Sequence, residues 1–204
     1  MDETATPVTA LNALTALTDF GDLAVLLPVT IVVFVWLYFL PSKRDAGWWV
    51  AAATLCMGGT ALLKVFFVVC PLVAQLRSPS GHTSLSTLVY GAIALFVATA
   101  DARWRYPVIA AGGVLVLLIA ASRIALHDHT TLETGLGLVI GAVALCVFAR
   151  SYLAVERPMV PLRPLLLSVA ALLAVLHGRQ LHAEDLLRAV GSYIHETSGI
   201  CAAA

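Results

Sequence analysis

Long apolar runs alternate with short polar connections along almost the whole chain. The runs cover roughly residues 23–40, 46–70, 84–100, 106–121, 134–149 and 164–177. Each approaches the ~20 residues that an α-helix needs to cross ~30 Å of hydrocarbon. The pattern therefore predicts an all-α fold, a polytopic transmembrane helical bundle of about six spans. The sixth run is short and is flanked by Pro161, Arg163 and Pro164, so a buried or re-entrant segment is the alternative there.

The composition also indicates a protein that is partly surrounded by a lipid bilayer. Hydrophobic residues make up 60% of the 204 residues and charged residues only 12%, and the mean hydropathy is +0.94. A water-soluble domain of this size could not hide that much apolar surface in one core. The formal net charge is zero, so the sequence gives no reason to expect nucleic acid or another polyanionic partner.

The two ends of the chain differ from the apolar runs. Residues 1–22 hold four acids and no Lys or Arg, which does not fit the leading region of a secretory signal peptide. Leucines at helical spacing in residues 9–20 favour a short interfacial helix, and a frayed tail fits them equally well. We divide the chain into an N-terminal interfacial segment (1–22), a transmembrane domain (23–177) and a C-terminal amphipathic tail (178–204). The tail is expected on the membrane surface or against the site-bearing face.

Lys and Arg in the loops predict an orientation, because these side chains resist translocation and stay in the cytoplasm. If six helices alternate, one face receives Lys43, Arg44, Arg103, Arg105, Arg150, Arg157 and Arg163. The opposite face receives Lys64, Arg77, Arg123, Arg179 and Arg188. The first face is predicted to be cytoplasmic, so the second faces the periplasm or cell exterior.

Two groups of polar residues lie at the predicted outer ends of spans two and three. Lys64 sits in the outer third of an apolar run, where its ammonium either snorkels to the headgroups or serves a site. Pro79-Ser80-Gly81-His82 is typical of a helix start capped by Ser80. Such a start presents unpaired amides and the positive end of the helix dipole to an anion, and Gly81 allows close approach. His82 then stands beside the anion.

A third group lies between spans four and five. Ser122-Arg123 ends one run, where an arginine is also an ordinary interfacial anchor. His129 and Glu133 are four residues apart, so on the first turn of span five they are expected to share a face. The carboxylate can then hold one ring nitrogen and leave the other for a nucleophile or base. His127 and Asp128 either substitute in that role or are simply solvated.

Together these residues resemble the type-2 phosphatidic acid phosphatase superfamily. Its pattern is a lysine-containing first motif, a Pro-Ser-Gly-His second motif and a Ser-Arg…His third motif. The resemblance covers residues 64–133. It departs from the pattern twice: Lys64 is followed by Cys70-Pro71 where the family has arginine and proline, and Glu133 stands where the third motif has aspartate. Arg77 is a candidate source of the missing guanidinium.

The resemblance implies a metal-independent phosphatase without cofactors. His129 would be the nucleophile, Glu133 would orient it, and His82 would be the general acid and base. The phosphate would be bound by Lys64, Arg123, Ser80, Gly81, Arg77 and Ser122. The substrate would be a phospholipid or a polyprenyl phosphate in a bacterial inner membrane. Undecaprenyl diphosphate is favoured over phosphatidylglycerol phosphate and phosphatidic acid, because the chain is small and its site faces outward.

Other interpretations stay open at this point. A metal hydrolase built on His82, His127, His129 and Glu133 is an enzymatic alternative, since all four are plausible zinc ligands. The surplus of Lys and Arg argues against it, because cations repel a metal and attract a phosphate. Phosphate transfer to a second lipid, and a catalytically inactive lipid-phosphate binder or transporter, are further alternatives.

Glycine and cysteine add two structural expectations. Gly137 and Gly141 lie one turn apart on span five, and Gly58-Gly59 and Gly112-Gly113 thin the neighbouring helices, so close helix packing is expected at all three places. Cys70 and Cys201 both fall on the predicted oxidising face, where a disulfide between them is an option.

Overall fold

The structure is a computed structural model that describes residues 5–39, 42–70, 76, 78–155, 161–181 and 183–198. The described residues form helices and no strand, which confirms the predicted all-α class. The α-helices are α1 (Ala5–Asp19), α2 (Leu23–Phe39), α3 (Lys43–Val69), α4 (Gly81–Ala100), α5 (Arg105–Ala125), α6 (Thr131–Leu153), α7 (Arg163–Leu176) and α8 (Ala183–Ser198). One turn of 3₁₀ helix, Ala102–Trp104, joins α4 to α5.

Five of the described helical stretches are long and apolar enough to cross a membrane. They are Thr9–Phe39, Lys43–Val69, Gly81–Ala100, Ala102–Ala125 and Thr131–Leu153. Their outward faces are apolar, since Leu62, Leu117 and Val139 are 74%, 59% and 57% exposed. Large exposed aliphatic side chains of this kind are unfavourable in water and favourable in lipid. The chain is therefore an integral membrane protein.

The sixth predicted span is shorter than the other five. It forms α7, whose 14 residues extend about 21 Å at 1.5 Å per residue. The chain around α7 nevertheless runs the whole length of α2. Pro161 accepts a hydrogen bond from Trp36 near the end of α2, whereas the amide of Leu181 donates to Asp22 just before its start. α7 thus lies antiparallel to α2 and connects the two ends of the bundle.

Helix α4 occupies the centre of the bundle, where it packs against α2, α3, α5 and α6. The core away from the polar residues is aromatic. The ring of Phe96 lies 5.1 Å from Trp36, 5.8 Å from Phe148 and 5.1 Å from Tyr152. Trp49 packs edge-on against Phe148 and donates its indole N–H to a carbonyl of α2, so this large polar side chain is buried with its donor satisfied.

Both ends of the chain pack against the spanning helices. α1 contacts α5, and α8 contacts α3. His195 in α8 lies 3.0 Å from the carbonyl oxygen of Val69, at the end of α3. The C-terminal helix therefore follows the second of its two predicted placements, against the bundle end that carries the polar motifs. The three-part division of the chain stays a prediction.

The glycine pair of α6 is a site of close helix packing, as expected. A Cβ atom at Gly137 would lie 2.5 Å from the carbonyl oxygen of Ser80, and one at Gly141 would lie 2.3 Å from that of Ser84. The backbones of α4 and α6 therefore touch along this stripe. The same expectation was wrong for Gly58-Gly59, because a Cβ at either position would meet none of the described residues within 4 Å. Gly112 makes a close approach to Ala94, whereas its neighbour Gly113 does not.

These contacts predict opposite effects for two identical substitutions. Gly141→Ala must push α6 away from α4 and is expected to lower the free energy of unfolding by about 1–3 kcal/mol, as overpacking typically does. Gly58→Ala is the matched control. It should leave stability unchanged or raise it by about 0.5–1 kcal/mol, because alanine is the better helix former. Thermal unfolding in detergent measures both, and equal midpoints for the two variants would contradict the packing argument.

Candidate active site

The Pro-Ser-Gly-His motif forms the start of α4. Ser80 has extended backbone angles and its Oγ accepts from the amide of Thr83 at 3.4 Å, which confirms the predicted N-cap. The hydroxyl of Thr83 also contacts this Oγ at 3.0 Å. The first helical residues are Gly81 and His82, whose amides belong to the group that has no partner within a helix. The positive end of α4 thus lies beside His82.

The Ser-Arg…His spacing is produced by the way α5 ends. The amide of Asp128 donates to the carbonyl of Arg123, and the amide of His127 donates to that of Ile124. This pair of bonds is a Schellman motif, with His127 in the left-handed conformation (φ 59°) that usually requires glycine. The amide of His129 also returns to the carbonyl of Arg123. The five intervening residues are therefore a tight helix stop that brings His129 back beside Arg123.

Glu133 contacts His129, but not in the way the sequence suggested. His129 lies one residue before the N-cap of α6, so the pair does not share a helical face. Instead Thr130 and Glu133 form a capping box, in which the side chain of each residue accepts from the backbone amide of the other. The box folds the carboxylate back over the helix start. Its Oε2 then lies 3.2 Å from Nδ1 of the buried His129.

Glu133 also joins the second and third motifs. Its Oε1 accepts from the amide of Ser78 at 2.9 Å, and its own carbonyl accepts from the amide of Ser80 at 3.1 Å. The close approach of Gly137 to Ser80 holds the same two segments together. The carboxylate is buried. It caps the start of α6, contacts His129 and accepts a hydrogen bond from the segment that precedes α4.

A cavity of about 250 Å³ opens beside these motifs. Lys64, Gly81 and His82 line it together, and a Cβ at Gly81 would lie 3.9 Å from Cε of Lys64. The lysine is buried, with 6% of its surface exposed, so it does not snorkel into water. Most of the remaining wall is apolar and comes from Leu23, Met57, Ala61, Leu85, Leu181 and Leu187. The lysine of the first motif and the histidine of the second motif thus line the same, mostly apolar cavity.

Arg123 lies largely buried on the third-motif side. Its Nη1 is 3.0 Å from a carboxylate oxygen of Asp128 and donates to the hydroxyl of Thr18 at 3.4 Å. Its Nε is buried and has no hydrogen-bond partner among the described residues. The exposed Asp128 therefore contacts Arg123, whereas His127 is exposed at the helix stop.

Sequence reasoning missed residues 18–22, which form the end of α1 and its short connection to α2. Thr18 contacts Arg123, and Oδ2 of Asp22 lies 3.4 Å from Nε2 of His82. The side chains of Thr18 and Asp22 are both buried. The available signal was an acidic residue directly before an apolar helix, at the end of the bundle that carries the motifs. Thr130 was also missed, although Thr-x-x-Glu before an apolar run is a capping-box pattern.

Four other sequence predictions have different outcomes. The hydroxyl of Ser122 donates to the carbonyl of Ile119 in its own helix, so its proton is already engaged there. Arg77 lies outside the described residues. The described part of the chain contains no group of three or more His, Cys, Asp or Glu side chains arranged to hold a metal ion. Cys70 is disulfide-bonded and Cys201, its suggested partner, lies outside the described residues.

The fold and the site define a class: a helical membrane protein whose helix ends bring two histidines, a carboxylate, a lysine and an arginine together at one end of the bundle. Residues 66–157 match the model of the PAP2 superfamily, and the resemblance noted from the motifs is confirmed. Members of this superfamily are phosphatases. The match includes His82, Arg123, His129 and Glu133, while Lys64 precedes it. No curated protein and no solved structure matches the chain.

Proposed function

We propose that the protein is a metal-independent lipid phosphatase that works through a phosphohistidine intermediate. The observation that supports this most directly is the contact between His129 and Glu133. A carboxylate on Nδ1 fixes the ring orientation and its tautomer, so Nε2 is the nitrogen that attacks phosphorus. As the bond from Nε2 to phosphorus forms, the bond from phosphorus to the lipid oxygen breaks.

His82 supplies the proton that this departing oxygen needs. An imidazole changes charge near neutral pH, so the same ring can give a proton to the alcohol and later take one from water. The water oxygen then bonds to phosphorus, the bond to His129 breaks, and phosphate leaves. Glu133 keeps its negative charge throughout and stabilises the positive charge that develops on His129.

The charges around the site suit the phosphoryl group. Phosphoryl transfer depends mainly on positioning and on stabilising charge on the equatorial oxygens. Lys64 and Gly81 line the cavity, and we assign Ser80, the N-cap of α4, and Arg123 of the third motif to the same phosphate. Asp128 and Thr18 contact Nη1 of Arg123, whereas Nε has no hydrogen-bond partner among the described residues, so we assign Nε to phosphate. Arg77 remains a candidate for a second guanidinium.

The apolar wall of the cavity supports a lipid substrate. Phosphate would sit at Lys64 and His82 while the first carbons of the lipid extend along the leucines behind them. Among lipids we favour undecaprenyl diphosphate, over phosphatidylglycerol phosphate and phosphatidic acid. The excess of Lys and Arg at the opposite end of the bundle supports a site that faces the periplasm of a bacterial inner membrane.

Phosphate release by the purified protein in detergent with EDTA tests this proposal. We expect release from at least one of the three lipids, unchanged by the chelator. Glycerol 3-phosphate is the matched control for phosphatidic acid, since it has the same ester without acyl chains, and it should be hydrolysed far more slowly. Release that EDTA abolishes would replace this mechanism with a metal hydrolase. No release from any lipid would favour a lipid-phosphate binder.

A further inference from the structure

His82, the general acid of the proposed reaction, contacts a carboxylate that lies outside the three motifs. Nε2 of His82 lies 3.4 Å from Oδ2 of Asp22, and only 5% of the Asp22 side chain is exposed. Asp22 precedes α2, sixty residues before His82 in the chain, and it lies outside the stretch matched to the superfamily. A buried carboxylate in contact with an imidazole is a strong restraint on the ring.

The position of Asp22 is itself fixed from two directions. Its Oδ1 accepts from the amide of Ala24 at 2.7 Å and from the amide of Leu181 at 3.1 Å. The preceding Gly21 packs so closely that a Cβ there would lie 3.3 Å from Cβ of His82 and 2.8 Å from Ile119. One oxygen therefore anchors the carboxylate to backbone, and the other is directed at the histidine.

From this geometry we infer that Asp22 is the positioning residue for His82, an inference that rests on the proposed phosphatase activity. The contact to Nε2 leaves Nδ1 as the nitrogen that donates to the departing oxygen. Each of the two histidines thus contacts a carboxylate. Glu133 orients the nucleophile His129, and Asp22 orients the general acid His82.

Asp22→Asn separates this role from simple support of the fold. Asparagine keeps an oxygen for the amides of Ala24 and Leu181 but removes the negative charge that faces His82. The readout is kcat/KM, which covers formation of the phosphohistidine and loss of the alcohol. Dodecyl phosphate, which loses a strongly basic alkoxide, needs the acid, whereas 4-nitrophenyl phosphate, which loses a weakly basic one, hardly does.

The expected losses differ between the two substrates. Asp22→Asn should lower kcat/KM for dodecyl phosphate about 10- to 100-fold, and that for 4-nitrophenyl phosphate less than about threefold. On a His82→Ala background the same change should have no further effect, since Asp22 acts through the histidine. Asp19→Asn is the matched control. Asp19 is equally buried in the same segment but contacts Gln180, and its loss should be equal for both substrates and less than about twofold.

Each other outcome overturns the inference. Equal losses on both substrates, or a loss that persists without His82, would make Asp22 a structural residue, and an unchanged rate would remove its role altogether. If Asp22→Asn does not fold, Asp22→Ser keeps a capping oxygen for Ala24 and carries the same expectation. A wild-type protein that hydrolyses neither ester, nor the lipids above, would instead refute the proposed function and this inference with it.

Discussion

His129→Asn is expected to abolish phosphate release, with a fall in kcat of at least about 10⁴-fold, because it removes the nucleophile. Asparagine is chosen because its amide nitrogen can take over the position of Nδ1 beside Glu133. The capping box of Thr130 and Glu133 is then preserved, and the variant should unfold at nearly the wild-type temperature. Initial rates of phosphate release, with a thermal unfolding curve on the same sample, measure the two effects together.

His127→Asn is the control for this substitution. His127 is exposed and occupies the left-handed position of the α5 helix stop, a conformation that asparagine tolerates well. Its rate should stay within about twofold of wild type, as for other surface changes. Turnover that survives in His129→Asn would rule out His129 as the nucleophile, and loss of turnover in His127→Asn instead would move the nucleophile to that residue.

Glu133→Gln should have the second largest effect and should act on activity and stability together. The carboxylate accepts from the amide of Ser78 through one oxygen, and contacts the amide of Thr130 and Nδ1 of His129 through the other. In either orientation of a glutamine, its NH₂ group faces a backbone N–H. We expect kcat to fall about 10³- to 10⁴-fold, as when the orienting acid of a triad becomes an amide, and unfolding to become easier by about 1–3 kcal/mol.

Two further variants sharpen the test of Glu133. Glu133→Asp restores the residue of the superfamily motif but is one carbon shorter, so it should keep the charge near His129 and lose reach toward Ser78. We expect intermediate activity. Glu196→Gln, on the exposed side of α8, should match wild type. Wild-type kinetics in Glu133→Gln would show that the charge on this side chain does not assist the reaction.

The sequence predicts the helices and the motif residues well because both are local. Apolar runs mark the spans to within a few residues, and the Pro-Ser-Gly-His motif marks the start of α4. The contact between His129 and Glu133 was expected for an incorrect reason. Four-residue spacing suggested one helical face, whereas the structure uses a capping box, whose pattern at Thr130 was present in the sequence but not recognised.

Contacts between distant segments could not be predicted in the same way. Nothing in the hydropathy around Asp22 indicates that its carboxylate reaches His82, because that contact depends on how α1, α2 and α4 pack. The residues that line the cavity could not be predicted from the sequence for the same reason. Leu181 and Leu187 belong to a tail with an amphipathic pattern, and the pattern shows that one side is apolar but not what it covers. The close contact at Gly141 and the open surface at Gly58 likewise depend on neighbouring helices.

The bond between the amide of Leu181 and Asp22 also sets an order of events during biosynthesis. The two residues are 159 positions apart, and Gln180 reaches back to Asp19 across 161 positions. At typical translation rates of about 5–20 residues per second, this separation corresponds to roughly 8–32 seconds. Throughout that interval α1 and α2 have been made, but the anchor for Asp22 has not. The bundle end that carries the motifs is therefore completed only after Leu181 has left the ribosome.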